Sequence, residues 1–593
     1  MLVKKIFAPL RVGAPAMDAD RSMMVLPDGE IRIYGNSCHP QTRSADEVFP
    51  VVMKSRDNGL NWQTEAVEGL TPGATVRSPW SGSWISLLGY AGNGQQKHCV
   101  TPADRILELQ ENPGVYFFRA DSPDGEFQVT RISDYLHIQR QPLALQKYQR
   151  WLVPYQYRME NHHYCWGVLL SDDDGVTWRK VAASAPPIPG VQPGHGGLRW
   201  LHCGYEPVVA EYADGRLHAL LRCSHDEHYE SFSEDGGETW STPEPSRFYA
   251  VATMPGLYRL SGDRMLAVWN NTVPLPEADH RTQYGGDDPD IINGVWEDVF
   301  TNRDALHAAI SSDGGKTWQG FREILLNPAR NDADFRSVFF PYFDGLDKSV
   351  HQNQVLELPD GNVLVAAGQN PVCRSIVIFD PDWLLEENRA EDFRHGLRQV
   401  SYHQFVKSPV GGCREGGVGH CSYNRRPGAA LMPHPDRFDR EVLLVAHHPD
   451  DRLVSSLEGV VWNFPASAAG QVTIRFRENS GSAGCRFILT DRWINPSDPI
   501  AETYALFSAV LDGEGKIGSA ALKMDAWHDL VLDWNCSTGI CRVFCDGELE
   551  AELPRLRQTP NDVSYLHIQT IAGGADPAGV MFESFCKTGA VQA

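Results

Sequence analysis

Apolar residues along the chain cluster in short runs, and each run follows a turn signal. LPDGEIRIYG from Leu26, ADGRLHALLRCS from Ala213, SGDRMLAVWNN from Ser261 and LPDGNVLVAAGQN from Leu358 each predict a tight turn leading into a largely buried strand. Further on, EVLLVAHH, VTIRFREN, CRFILTD, AWHDLVLDW and CRVFCDGELEAEL alternate apolar and polar positions, as half-buried strands of a sandwich do. Only PDWLLEENRAEDFRHGL from Pro381 has a helical pattern, with proline at its start and paired charges along it. It predicts an α-helix that closes a first domain near residue 395. The chain is therefore expected to be all-β, with one domain over 1–395 and a second over 396–593.

A more specific signal repeats inside the first domain. Ser-x-Asp-x-Gly-x-x-Trp occurs at Ser55–Trp62, Ser171–Trp178, Ser233–Trp240 and Ser311–Trp318. Asp and Gly suit a turn with positive φ, the Ser and Asp side chains can bind turn amides, and the Trp can cover a neighbouring strand. The serines are 116, 62 and 78 residues apart. A unit of roughly 60–75 residues fits one four-stranded propeller blade, with the first interval spanning two.

These boxes resemble the Asp-box, or BNR, repeats of the sialidase-like β-propellers over roughly residues 1–395. The resemblance implies a six-bladed propeller with its site at the axis. The segment WHDLVLDWN…CRVFCDGE resembles laminin-G or concanavalin-like jelly rolls, which implies a jelly-roll β-sandwich for 396–593, a sugar-binding, packing or dimerising module.

The same resemblance assigns roles. Sialidases hold a substrate carboxylate with three arginines, whose planar forks match it. Arg222, ahead of YESFSEDGGETW, and Arg303, in NRDALHAAISSDGGKTW, stand in matching contexts; Arg21, in DRSMMVLPDGE, takes the first place, without the Arg-Ile-Pro signature. Glu206, sixteen residues before Arg222, resembles the glutamate that serves as base toward a tyrosine nucleophile. Asp46 in TRSADEVFP, beside Glu47, stands where the acid/base is expected. The family tyrosine is absent from its usual position before LPDG, which His351 and Gln352 occupy; Tyr342 is the nearest tyrosine upstream.

Histidines at 162, 163, 195, 202, 225, 228 and 351 gather near the same segments. They keep a second activity open: a propeller lyase that opens uronate-containing glycans by β-elimination, with His351 or another histidine as base. The two readings are thus an exo-acting hydrolase that removes a terminal acidic sugar, and a lyase. A catalytically silent sugar-binding propeller is the third.

Composition narrows partners. With 53 Lys+Arg against 76 Asp+Glu, the net charge of −23 repels nucleic acid and anionic membrane surfaces. The expected partner is an acidic glycan, with oligomerisation through the sandwich as an option. No HExxH or tight CxxC pattern occurs, so neither metal nor cofactor is expected. Thirteen scattered cysteines read as reduced packing residues, including the triplet Cys536, Cys541 and Cys545. The N-terminus has a proline-broken apolar stretch too short for a signal core, so the chain as given is expected in the cytoplasm; a trimmed signal would make it secreted or periplasmic.

Overall fold

The computed structural model describes residues 6–15, 23–36, 49–67, 75–90, 113–158, 164–187, 203–274, 301–331, 349–368, 373–406 and 424–589. Its first module is a β-propeller. Among the described residues it contains six four-stranded sheets, every neighbouring pair antiparallel. The first sheet comprises Met23–Val25, Ile31–Asn36, Pro50–Ser55 and Gln63–Ala66, and the second begins at Val76–Arg77. The third, fourth and fifth begin at Leu143–Leu145, Cys203–Glu211 and Gly256–Arg259. The sixth comprises Gln354–Glu357, Val363–Ala367 and Ser375–Phe379, and takes Leu10–Gly13 from the far end of the chain as its fourth strand.

Apolar clusters join each sheet to the next. Leu152 and Trp166 of the third sheet pack on Leu217 and Leu221 of the fourth, and Val268 and Ile310 of the fifth on Val365 and Val377 of the sixth. The sixth returns to the first, where Leu364 and Ile378 pack with Ile31 and Met53. The borrowed N-terminal strand ties the start of the chain to the sixth sheet and so closes the ring.

All four turn-plus-strand runs become the second strands of their sheets: Ile31–Asn36, Leu217–Cys223, Met265–Trp269 and Val363–Ala367. The Ser-Asp-Gly-Trp boxes link third strands to fourth. In each, the Ser Oγ donates to the Asp Oδ1 at 2.8–2.9 Å and accepts the Gly N–H. The glycine is required twice over. Gly315 has φ +81°, and a Cβ there would lie 2.0 Å from the Tyr212 hydroxyl of the preceding sheet.

Burial alone would raise the carboxyl of Asp313. The Thr317 side-chain and backbone donors, with Ser311, outweigh burial and hold it near 2. Its stabilisation is therefore present above the unfolded carboxylate value of about 3.9 and is lost as pH falls toward 2. A difference in Tm between the parent and Asp313→Asn should be small, because the turn is exposed, and should shrink between pH 4 and 2. A difference that ignores pH would assign the effect to something other than the charge.

The second module is a two-sheet sandwich. One sheet runs Ala430–Pro433, Glu441–His447, Asp576–Gly589, Ala469–Glu478, Trp527–Asn535, Ile540–Cys545 and Glu548–Pro554; the other runs Val400–Ser401, Gly459–Ser467, Val563–Thr570, Gly484–Thr490 and Phe507–Asp512. Ala469–Glu478 alternates strictly between buried and half-buried positions. Trp462, Phe476, Phe487, Trp534, Phe582 and Phe585 fill the space between the sheets, and Cys541 and Cys545 pack there as free thiols.

The α-helix expected from Pro381 does not form. Pro381–Leu385 is a single 3₁₀ turn, and Arg389–Glu391 is a strand of the sandwich paired with Asp576–Gly589. Tertiary contacts override the helical pattern here. The Arg322 guanidinium lies 3.3 Å from the Trp383 ring centroid, and Arg322 Nη1 donates to Trp383 O at 2.5 Å. The sandwich thus begins before residue 395, at Arg389.

Candidate active site

The third sheet is entered through Gln139–Gln141, the fifth through Ala252–Pro255 and the sixth through His351–Asn353; on the same end of the propeller lie the start of Cys203–Glu211 and the end of Leu217–Cys223. Here the fold brings Glu206, Arg222, Arg303 and His351 to one face. Arg21, Asp46, Glu47 and Tyr342, with histidines 162, 163, 195 and 202, lie outside the described residues.

Glu206 owes its position to a break in the strand. Pairing with Leu217–Cys223 shifts register between Cys203 and Val208, and Glu206 itself has φ +44°. A bulge of this kind re-aims a side chain, and a non-glycine residue in the left-handed region stores strain that its surroundings must hold. They do so through Gln156 Oε1, which accepts the Glu206 N–H. The carboxylate is 2% exposed. Arg222 Nη1 donates to its Oε2 at 2.5 Å and Gln139 Nε2 to its Oε1 at 3.2 Å. Burial would push this carboxyl up, but Arg222, seconded by Gln139, outweighs burial and holds it below the ordinary value. Two of its roughly four lone-pair sites stay open for a further donor.

Arg222 also lies 5.4 Å from the ring centroid of Tyr205. Behind it sits His228, fully buried, with neither ring nitrogen hydrogen-bonded. Burial, helped by the neighbouring Arg222 charge, lowers this imidazole to about 3, so it is neutral. The Tyr205 phenol is pushed up by burial and by Glu206, which disfavours its ionised form.

Arg303 is fully buried in the fifth sheet, following Asn302 at φ +57°. Its Nη2 donates to Ala252 O and its Nη1 reaches His351 Nε2 at 3.4 Å. His351 Nδ1 bonds Ser349 Oγ, and the ring is 1% exposed. With Nε2 accepting from a guanidinium, its lone pair faces a protein cation. His351 Nε2 thus faces the Arg303 guanidinium.

The sequence reading missed Gln139–Gln141. Gln139 bonds Glu206 of the fourth sheet, Arg140 reaches Pro255 and Asn353 of the fifth and sixth, and Gln141 Nε2 donates to Met23 O of the first at 2.8 Å. Three consecutive residues therefore bridge four other sheets across the axis. Their only sequence signal is a polar triplet just ahead of the apolar strand Leu143–Leu145.

The sandwich meets the propeller on this face. Asp304, next to Arg303, pairs with Arg425 at 2.9 Å, and Val273 and Asn271 exchange main-chain bonds with Trp493. Among the described residues no group of His, Cys, Asp and Glu could hold a metal ion, and no helix is long and apolar enough to cross a membrane.

Residues 125–373 match the family model of the BNR repeat-like domain. No curated protein matches the chain. Among solved structures, the chain is similar to Trypanosoma rangeli sialidase in complex with sialic acid, at 12% identity and a TM-score of 0.35, with 100% of this chain and 95% of that chain covered. It is also similar to the intramolecular trans-sialidase of Ruminococcus gnavus in complex with oseltamivir carboxylate, at 12% identity and 0.38, covering 63% and 97%. A Dyadobacter fermentans protein of unknown function gives 15% identity and 0.37, covering 63% and 96%. Likenesses this distant carry no residue role or activity across.

Proposed function

We propose, from the premise that residues 125–373 of this chain belong to the BNR repeat-like family, that the protein is an exo-acting glycoside hydrolase. Its substrate is a glycan ending in an acidic sugar, sialic acid or a related ulosonic or uronic acid. The observation that carries this reading is the buried Glu206–Arg222 pair on the same propeller face as Arg303. Buried guanidinium groups recognise a carboxylate through paired, charge-assisted bonds. In this reading Arg222 and Arg303, with Arg21, bind the substrate carboxylate. Asp46 is the acid/base and Tyr342 the nucleophile. Glu206 is ionised and retains open lone pairs, so it can accept the phenol proton as attack proceeds.

One observation favours β-elimination instead: His228 is a neutral imidazole beside Arg222, the pairing of base and cation that a lyase uses. Arg303 is as buried as His228 and Arg222 nearly so, so burial does not separate the two readings.

The products separate the readings. Incubation with sialyl-terminated and uronate-terminated oligosaccharides should release an acidic monosaccharide with one water added, seen by mass spectrometry. An unsaturated product absorbing in the ultraviolet would overturn hydrolysis in favour of elimination. Binding without any product would leave a sugar-binding propeller.

A further inference from the structure

Arg140 lies outside the roles assigned above. It precedes the inner strand of the third sheet, yet its guanidinium crosses the axis. Nη1 is 3.4 Å from Tyr258 Oη and 3.3 Å from Asn353 O, and Nη2 donates to Pro255 O. The residue is only 8% exposed. Of five guanidinium N–H groups, three have neutral oxygens as acceptors, and the buried Nε–H has none. Among the described residues no carboxylate lies within ion-pair distance of it. A buried charge without a counter-ion is costly, and folds keep one where something else supplies the compensation.

The surroundings prevent Arg140 from escaping to solvent. Gln139 is tied to Glu206, while Gln141 is tied to Met23 O and accepts from Gln354 Nε2 at 2.8 Å. Arg140 and Arg303 also grip the same two segments. Arg303 bonds Ala252 O and His351, and Arg140 bonds Pro255 O and Asn353 O. Arg222 joins them through Glu206 and Gln139. The three guanidinium groups are therefore tied to one another through these bonds and the short backbone segments between their partners.

We infer that Arg140 binds the substrate, as a preorganised cation whose missing counter-ion is the carboxylate of the acidic sugar. The choice of sugar rests on the hydrolase reading; the need for an anion rests on the uncompensated charge. Its source in the third sheet is independent of positions 21, 222 and 303.

The test is calorimetric titration of the full chain with N-acetylneuraminic acid and glucuronic acid, each against its methyl ester. The unaltered chain should prefer acid to ester. Arg140→Gln should weaken acid binding by on the order of 30-fold or more and ester binding by much less, because the ester keeps only a neutral acceptor for the guanidinium. Arg140→Lys keeps charge without the planar fork and should fall between. A crystal of the unaltered chain soaked with the preferred acid covers the case in which the variants fail to fold; its carboxylate should lie within hydrogen-bond distance of Arg140. A folded Arg140→Gln with the parental acid-to-ester ratio, or a bound carboxylate remote from Arg140, would make Arg140 a brace across the axis and leave the acidic-sugar reading standing. Failure of the unaltered chain to bind either acid would overturn that reading and the ligand assigned to Arg140 together.

Discussion

Arg222→Ala should lower kcat/KM on the best acidic substrate by a factor on the order of 30 to 1,000, the loss expected when a buried charge-assisted partner disappears from a transition-state complex. A second effect belongs to Glu206. In the parent its carboxyl lies below the ordinary value because Arg222 outweighs burial, so the pair stabilises the fold above the unfolded carboxylate pKa, and that contribution is lost as pH falls through the folded value. Without Arg222, burial dominates and the sign reverses: Glu206 is raised, and the variant is least stable where the carboxyl must ionise. Leaving a buried charge unpaired typically costs about 3–5 kcal/mol. The double variant Arg222→Ala/Glu206→Gln should therefore recover much of the stability at neutral pH while recovering none of the activity. An unchanged kcat/KM in Arg222→Ala would remove it from the site. Equal recovery of stability and activity in the double variant would reduce the pair to a structural element.

Local chemistry made the propeller legible. A Ser-Asp-Gly-Trp box contains its own acceptors, donors and positive-φ glycine, so its turn is determined by residues within eight positions, and the strand on either side follows. The segment from Pro381 was misread because helical spacing of apolar residues is also satisfied by one 3₁₀ turn with Trp383 and Leu384 buried. The decisive partners, Arg322 and the strand Asp576–Gly589, are distant in sequence. The site divides the same way. Glu206, Arg222 and Arg303 stand out in the sequence only because their contexts resemble those of the sialidases. Gln139–Gln141 do not, because those residues act on four sheets that only the closed ring brings together.

A chain ended at residue 395 should fail to hold the site, although every candidate residue precedes that point. The junction is a core, not a rim. Ala305 and Leu326 of the fifth sheet pack with Val461, Trp493 and Tyr565 of the sandwich, and Val273 packs with Ile488, Ile494 and Tyr504. Its polar groups are fully buried as well. His307 bonds the Tyr565 hydroxyl, which donates to Glu323 Oε1 at 2.8 Å, and Asp304 pairs with Arg425. Truncation would strip Asp304 of its cation and Glu323 of its donor, each on the fifth sheet that carries Arg303. Breaking one buried pair alone is worth about 3–5 kcal/mol, comparable with a large part of a domain's net stability. The full chain should accordingly unfold with the two modules coupled, in one calorimetric transition. The truncated chain should aggregate or melt well below it, and should not turn over even a small soluble substrate. A soluble 1–395 fragment with the parental Tm and activity would show that the interface contributes nothing to the site and that the sandwich serves only to bind or to dimerise.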